Sequence, residues 1–351
     1  GSPILSWGPK LNPANQTGYE PTDFFDTGAA YSNSITLSTG TDKNQTFFSA
    51  AAVNSEGMIP NNRYNRYNFT FRNTTHFLND KMKLDVGASY IIQNDRNMTN
   101  QGVYSNPLVS AYLFPRGDDF SLVKAFERYD EARKINVAYW PQGEGDLRMQ
   151  NPYWITNRNM YTNKKDRFLA SGSLKYTITD WLNVSGRVKL DKETINSEKK
   201  MYASTLNVIA ENSDKGAYVQ SNKNTSQIYA DAMLNINKYF YHDTWNLTAS
   251  LGASLLDLDY KELNFGGGLL TIPNLFTSNN ANVSGKLTYK NTNYHDRTNS
   301  LFGTFSLGYK GMVYVDGSLR NDWISALAGT NHSSILYPSI GASAILTNMF
   351  T

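Results

Sequence analysis

Four side chains capable of chemistry stand close together in SLRNDWISALAGTNHSSILYPSIGASAI, residues 318–345: Arg320, Asp322, Trp323 and His332. A second acidic group is DLDYKE, residues 257–262, in which Asp257 and Asp259 are two apart. Two carboxylates on one face are the equipment of a glycosidase, and locally dense hard oxygens could hold a weak Ca²⁺. Asp118 and Asp119 are adjacent. The four histidines, His76, His242, His295 and His332, are far apart and show no HxxxH spacing, so no usual zinc pattern is present. No nucleophile elbow, phosphate loop or dinucleotide fingerprint occurs. The Gly-rich NFGGGLL, 264–270, has no helix signal after it and reads as a flexible loop.

Residues 94–165 carry a different chemistry. Tyr112, Phe114, Tyr139, Trp140, Tyr153, Trp154 and Tyr161 crowd a long stretch without strand signal. Long loops of this kind are usually functional. Flat rings suit the faces of sugars and peptide side chains. Trp140, Tyr153, Trp154, Tyr139 and Tyr161 are therefore the substrate- or partner-binding candidates, with Trp140 and Trp154 foremost. The competing reading is that they pack a core of the loop itself. DDFSLVKAFERYDEARK, 118–134, predicts a short helix capped by Asp118 or Asp119, with Leu122, Phe126 and Tyr129 on one side.

The elements that must position these groups are strands. In MKLDVGASY (82–90), WLNVSGRVKL (181–190), WNLTASLGASL (245–255) and MVYVDGSLR (312–320), small or apolar residues alternate with polar ones. Each follows another alternating segment across a short turn, and SITLSTG pairs with TFFSAAAV in the same way. The opposite connections are long: 54–63, 94–165, 191–224, 258–298 and 321–335. Short turns at one end and long loops at the other characterise outer-membrane barrels. The polar face holds Arg187, Lys189, Asp231, Asp316 and Arg320, as a wet lumen would. The fold class is thus all-β, an antiparallel transmembrane β-barrel portion of about eleven strands. In this frame Asp316, Ser318, Arg320 and Asp322 share the polar face of one strand, and the opening cluster is a strand–loop–strand corner. A soluble sandwich or propeller would also alternate, but its inner rows would lean more on Val and Ile.

Composition agrees. The chain has 351 residues, no Cys, a formal charge of +3, 23 Tyr and 17 Phe, and only 18% charged residues. Without Cys there is no disulfide framework or thiolate metal site. The scattered charges do not suggest nucleic-acid binding. The first residues, GSPILSWGPK, show neither a basic n-region nor an apolar h-region. No apolar run reaches a helical span, which leaves a barrel open.

Several stretches together resemble the SusC/RagA family of TonB-dependent outer-membrane transporters of Bacteroidetes. These are SWGPKL (6–11), FFDTG (24–28), TFFSAAAVNSEGMIPNNRYNRYNF (46–69), NPLVSAYLFPRGDDF (106–120), MQNPYWITNRN (149–159), TDWLNVSGR (179–187), LRNDW (319–323) and YPSIGASAI (337–345). The resemblance implies a barrel of about 22 strands with a plugged lumen, of which this chain is an internal portion. Residues 1–30 lead into the barrel, 31–93 form the first hairpins, 94–165 the long extracellular loop and 166–351 further hairpins. The plug domain and barrel C-terminus are expected outside these residues. It also implies TonB-energised import of an oligomeric glycan or peptide with a SusD-like surface lipoprotein, no catalysis and no cofactor. TonB contacts would lie elsewhere in the parent chain. A glycan-binding surface adhesin without transport, and less so a surface glycosidase, are the alternatives.

Overall fold

A computed structural model describes residues 12–15, 19–99, 102–141, 150–282 and 289–349. The SWGPKL stretch and Met149 lie outside the described residues. Eleven strands form one antiparallel sheet whose strands are laid side by side in the order in which they occur along the chain. They are β1 (Ala29–Gly40), β2 (Asn44–Glu56), β3 (Arg63–Phe77), β4 (Met82–Arg96), then, after the long loop, β7 (Asn159–Thr179), β8 (Leu182–Tyr202), β9 (Gly216–Phe240), β10 (Trp245–Gly268), β11 (Tyr289–Tyr309), β12 (Val313–Ile324) and β13 (Ser334–Ala344). The loop between β4 and β7 holds α1 (Pro107–Leu113), α2 (Pro152–Arg158) and a separate hairpin of β5 (Glu127–Asp130) and β6 (Ile135–Ala138). Among the described residues β1 and β13 are edges and do not pair with each other.

Register places the alternating rows. Arg187 lies opposite Asp231, Asp231 opposite Ser254, Ser254 opposite Ser300, and Ser300 opposite Asp322. Directly paired residues share a face, so these positions form one polar row across five strands. The other face carries Leu174, Val188, Leu251, Leu301, Leu319 and Ile340, all of them exposed. In water such a row would be an aggregation hazard; in lipid it is the solvated surface.

Aromatic rings bound that row. Near the short turns, Trp245 pairs with Phe240 on one side and Tyr309 on the other, with ring centroids 6.4 and 4.8 Å away. Tyr90 and Phe168 form a pair further along β4 and β7. The ten-residue step from Trp245 to Leu255 rises ~33 Å along a strand, or ~25 Å along the membrane normal at a ~40° tilt. That matches the apolar height of an outer-membrane barrel. No helix among the described residues is long and apolar enough to cross a membrane, which says nothing against crossing by strands.

The strands run further than alternation alone indicates. β9 has 25 residues and β10 has 24, whereas β1 has 12 and β12 has 12. The long connections shrink accordingly, to 97–158 in place of 94–165, 203–215 in place of 191–224, and 269–288 in place of 258–298. The reason is solvent. Beyond the lipid band both faces of DKETINSEKK (191–200) are polar, so the period of two disappears while the ladder to β9 continues. NFGGGLL is corrected on the same ground. Residues 266–268 pair with 217–219 inside the ladder. Gly266 takes φ +133°, and a Cβ there would stand 2.0 Å from the Tyr218 carbonyl oxygen, so close backbone approach requires the glycine.

The helix expected over 118–134 is also corrected. Asp119 does cap a turn, its carboxylate accepting from the Ser121 N–H at 2.8 Å, but that turn is a 3-10 helix ending at Lys124. The chain then enters the β5–β6 hairpin, where the Asp130 carboxylate accepts from the Ala132 and Arg133 N–H groups. A side chain that satisfies the backbone locally outcompetes the helix.

Candidate functional site

Two regions gather functional side chains: the polar face of the sheet and the packed loop at the long-loop end. On the polar face, cations and carboxylates alternate between neighbouring strands. Arg187 Nη2 lies 2.7 Å from Asp231 Oδ2, and the Asp231 side chain is 4% exposed. Arg167 grips Asp191 through two nitrogens. Lys165 meets Glu193 at 2.5 Å. Arg72 lies 3.3 Å from Asp85, which also accepts from the Thr74 hydroxyl at 2.5 Å. Arg187, Lys189, Asp191, Ser171, Ser89 and Tyr229 line a hollow of about 710 Å³ on this face.

The residues of the opening cluster divide between the two faces. Arg320 donates to Asp322 at 2.7 Å and to the Ser300 hydroxyl at 2.8 Å, and its guanidinium lies 5.4 Å from the Phe302 ring centroid. Trp323 has the opposite parity and is 46% exposed on the apolar face. His332 is in the loop between β12 and β13. The group is an architectural corner, with Arg320 tying β12 to β11. Asp316 stands on the polar face of the same strand and lines a smaller hollow with Ser306, Ser318 and Ser339.

The acidic pair at the end of β10 does not converge on a reaction centre. Asp257 and Asp259 share a face, but the one opposite to Asp231. Asp257 binds His295 at 2.9 Å and Arg297 at 2.9 Å, and Asp259 binds Lys261 at 3.0 Å. The Asp257 oxygens that a Ca²⁺ would need are thereby engaged. No group of three or more His, Asp or Glu suited to a metal occurs among the described residues.

The larger hydrophobic core lies in the loop, and a smaller one, of Met201, Ala210 and Ala217, lies at the ends of β8 and β9. Tyr19, Phe24, Ala111, Phe114, Phe120 and Val123 form one buried cluster. Tyr19 stacks on Phe120 with centroids 4.0 Å apart, and its hydroxyl donates to the Ala111 carbonyl at 2.7 Å. Burial is the first cause that raises the Tyr19 phenol pKa, and burial pushes Tyr153 up to about 12. The segment before β1 is thus a structural part of the loop that follows β4.

The aromatic candidates separate by burial. Trp154 is 2% exposed, and its indole N–H donates to the Thr205 hydroxyl at 3.0 Å. Its ring is enclosed within the loop. Trp140 and Tyr153 are half-buried against the cluster. Tyr139 lies under the Arg128 guanidinium, 3.3 Å from its ring centroid. Tyr161 is 42% exposed and shares its register position with Lys199.

Sequence reasoning missed Asn151, which organises this region. Its Oδ1 accepts from the Tyr153 and Trp154 N–H groups at the start of α2, while its Nδ2 donates to the Val123 and Tyr139 carbonyls at 2.8 and 2.9 Å. The available signal was Asn-Pro, a cap followed by proline in the first turn. Asn106-Pro107 opens α1 in the same way.

No family model and no curated protein matches the chain. Solved structures do. The RagAB peptide transporter has a TM-score of 0.70 at 16% identity, covering 92% of this chain and 34% of that one. The RagAB peptide importer in its closed-closed state has a TM-score of 0.68 at 17% identity, covering 93% and 35%. FpvA of P. aeruginosa, bound to pyoverdine and iron, has a TM-score of 0.51 at 13% identity, covering 92% and 39%. The shared property is the fold, an outer-membrane-type β-barrel wall, and this chain spans about a third of the RagAB chains it resembles.

Proposed function

We propose that the chain forms about half of the barrel wall of a TonB-dependent outer-membrane importer of oligomeric nutrients, working with a SusD-like surface lipoprotein. The observation that carries this reading is the two-faced sheet. One face is an exposed apolar row bounded by aromatic rings; the other is a ladder of ion pairs. Such a wall needs lipid on one side and water on the other. The fold shared with the RagAB peptide transporter supports import as the use of that water-filled side. The long-loop end is extracellular in this reading. There the packed loop and its exposed residues Tyr104, Tyr112 and Leu122 offer a surface to the lipoprotein lid. The polar ladder lines the path or holds a plug.

The open edges at β1 and β13 fit a larger barrel. Unpaired backbone groups in lipid cost several kcal/mol each, so further strands must complete the ladder. The test is uptake of labelled oligopeptides and oligosaccharides by cells with and without the parent gene, each with and without a protonophore. Loss of protonophore-sensitive uptake of either class on deletion is the expected result. Undiminished uptake of both, or recovery of the protein in the soluble fraction, would overturn the proposal.

A further inference from the structure

A cavity of about 380 Å³ lies where the loop meets the tops of β7 and β8, and no role proposed so far uses it. Its wall includes Asn159, Tyr161, Lys199 and Met201, which pair across β7 and β8 as Asn159 with Met201 and Tyr161 with Lys199. All four have the parity of Arg187 and Asp191, so they stand on the water-filled side of the wall. Ile59, Met98, Pro107, Ile155, Met160 and Ile209 supply most of the apolar lining, with Asn97, Thr99, Ser105 and Thr156 among them. Such a space takes a compact aliphatic group, and flexible methionines adapt to its shape.

One polar residue of the lining is incompletely satisfied. The Trp154 indole N–H donates to the Thr205 hydroxyl at 3.0 Å, and that hydroxyl donates to Asn159 Oδ1 at 2.8 Å. In this relay the Oδ1 end of the Asn159 amide is the acceptor. Its Nδ2 is left buried with no hydrogen-bond partner. A buried donor without a partner is costly, and an oxygen acceptor brought by a ligand removes that cost. Trp154 is thus a positioning residue for Asn159. Lys199 adds a cation at the same wall, 3.7 Å from Glu211.

We infer that this cavity is a specificity subsite for an aliphatic side chain of a peptide, whose adjacent carbonyl oxygen accepts from Asn159 Nδ2. A sugar ring presents hydroxyls all around, and those that meet the isoleucines and methionines would be left unpaired, so this part of the lining disfavours it. The inference rests on the import reading above and names the substrate feature that this wall reads.

The test is calorimetric titration of the purified protein in detergent with three probes. These are a blocked glycine–serine pentapeptide with leucine at its centre, the same peptide with serine there, and a neutral oligosaccharide of similar mass. The leucine peptide is expected to bind about tenfold or more tightly than the serine peptide, from burial of the leucine side chain. Ile209→Trp, which fills the cavity, erases that advantage. Asn159→Asp keeps the oxygen that Thr205 needs but replaces the donor with an acceptor, and weakens the leucine peptide about tenfold. Equal binding of both peptides, untouched by Ile209→Trp, would overturn the subsite while leaving peptide import standing. Binding of the oligosaccharide alone would overturn the subsite and leave import standing with a glycan cargo. Failure of all three probes to bind also overturns the subsite, and uptake by cells decides import separately.

Discussion

Replacing Trp154 with alanine is expected to open the loop without opening the barrel wall. The side chain is among the largest fully buried ones in the molecule, at 2% exposure. Its removal deletes a large apolar body from a packed site, which costs ~3–5 kcal/mol. At about 1.4 kcal/mol per tenfold, the opening equilibrium of the loop rises by roughly two to three and a half orders of magnitude. Trp154→Phe retains most of the volume and loses only the donor to Thr205, a net cost of ~1 kcal/mol, or about fivefold. The Thr205 hydroxyl still has Asn159 as its acceptor, which keeps the second cost small. Hydrogen exchange read separately over α1, residues 120–124 and the lipid-band part of β8 measures both effects. Protection should fall in α1 and 120–124 in the order Ala, then Phe, while β8 stays protected. Unchanged exchange in the loop after Trp154→Ala would refute the burial reasoning. Equal loss of protection in β8 would show that loop and wall are one cooperative unit.

Three further outcomes are expected. Arg187→Met should destabilise the folded protein by ~3–5 kcal/mol, because it strands the Asp231 carboxylate in a buried position. Asp231→Asn should cost ~1 kcal/mol or less, because Arg187 is 43% exposed and keeps its water; denaturant titration in detergent compares them. Leu251→Arg, in the middle of the apolar row, should cost ~2–4 kcal/mol of folding into vesicles, whereas Leu263→Arg, on the same face beyond the lipid band, should cost ~0–1 kcal/mol. The Asp119 cap has a pH sign. Hydrogen bonds from the Ser121 side chain and backbone hold the Asp119 carboxyl below the usual carboxylate range. Its stabilisation is complete above that range and is lost as pH falls through the lowered folded value. Hydrogen exchange at 121–124, compared with Asp119→Asn at each pH, should diverge only at the acid end.

The sheet was legible where lipid imposes a difference between its faces. Trp245, Leu247, Ala249, Leu251 and Leu255 alternate with polar residues because one side meets hydrocarbon. The expected eleven strands are present for that reason. From Asp191 to Lys200 both sides are wet, the side chains carry no face preference, and the strand continues unseen. The loop aromatics were legible as a group but not individually. Nothing in the spacing of Trp140 and Trp154 says that one is half-buried and the other enclosed, because their neighbours, such as Phe114 for Trp140 and Thr205 for Trp154, come from distant stretches. The cavity was illegible for the same reason. Asn159 gains its meaning only when Thr205 and Trp154 are folded against it. Asn151 was the exception, since a cap followed by proline is a local signal that needs no tertiary partner.

The wall is uneven in height, and the two sides of its rim are built differently. β9 and β10, at 25 and 24 residues, carry their hydrogen-bonded ladder well past the lipid. β3 and β4 stop at 15 residues each, and the folded loop stands on the β4 end. One jamb of the doorway is therefore stiff, since bending it means breaking many backbone bonds at once. The other is compliant, held up by stacked rings and a few asparagines that can part locally. Force applied at the mouth will not be shared evenly between them. Any door hung on this frame would keep its fixed edge against the tall strands and find its give on the packed side.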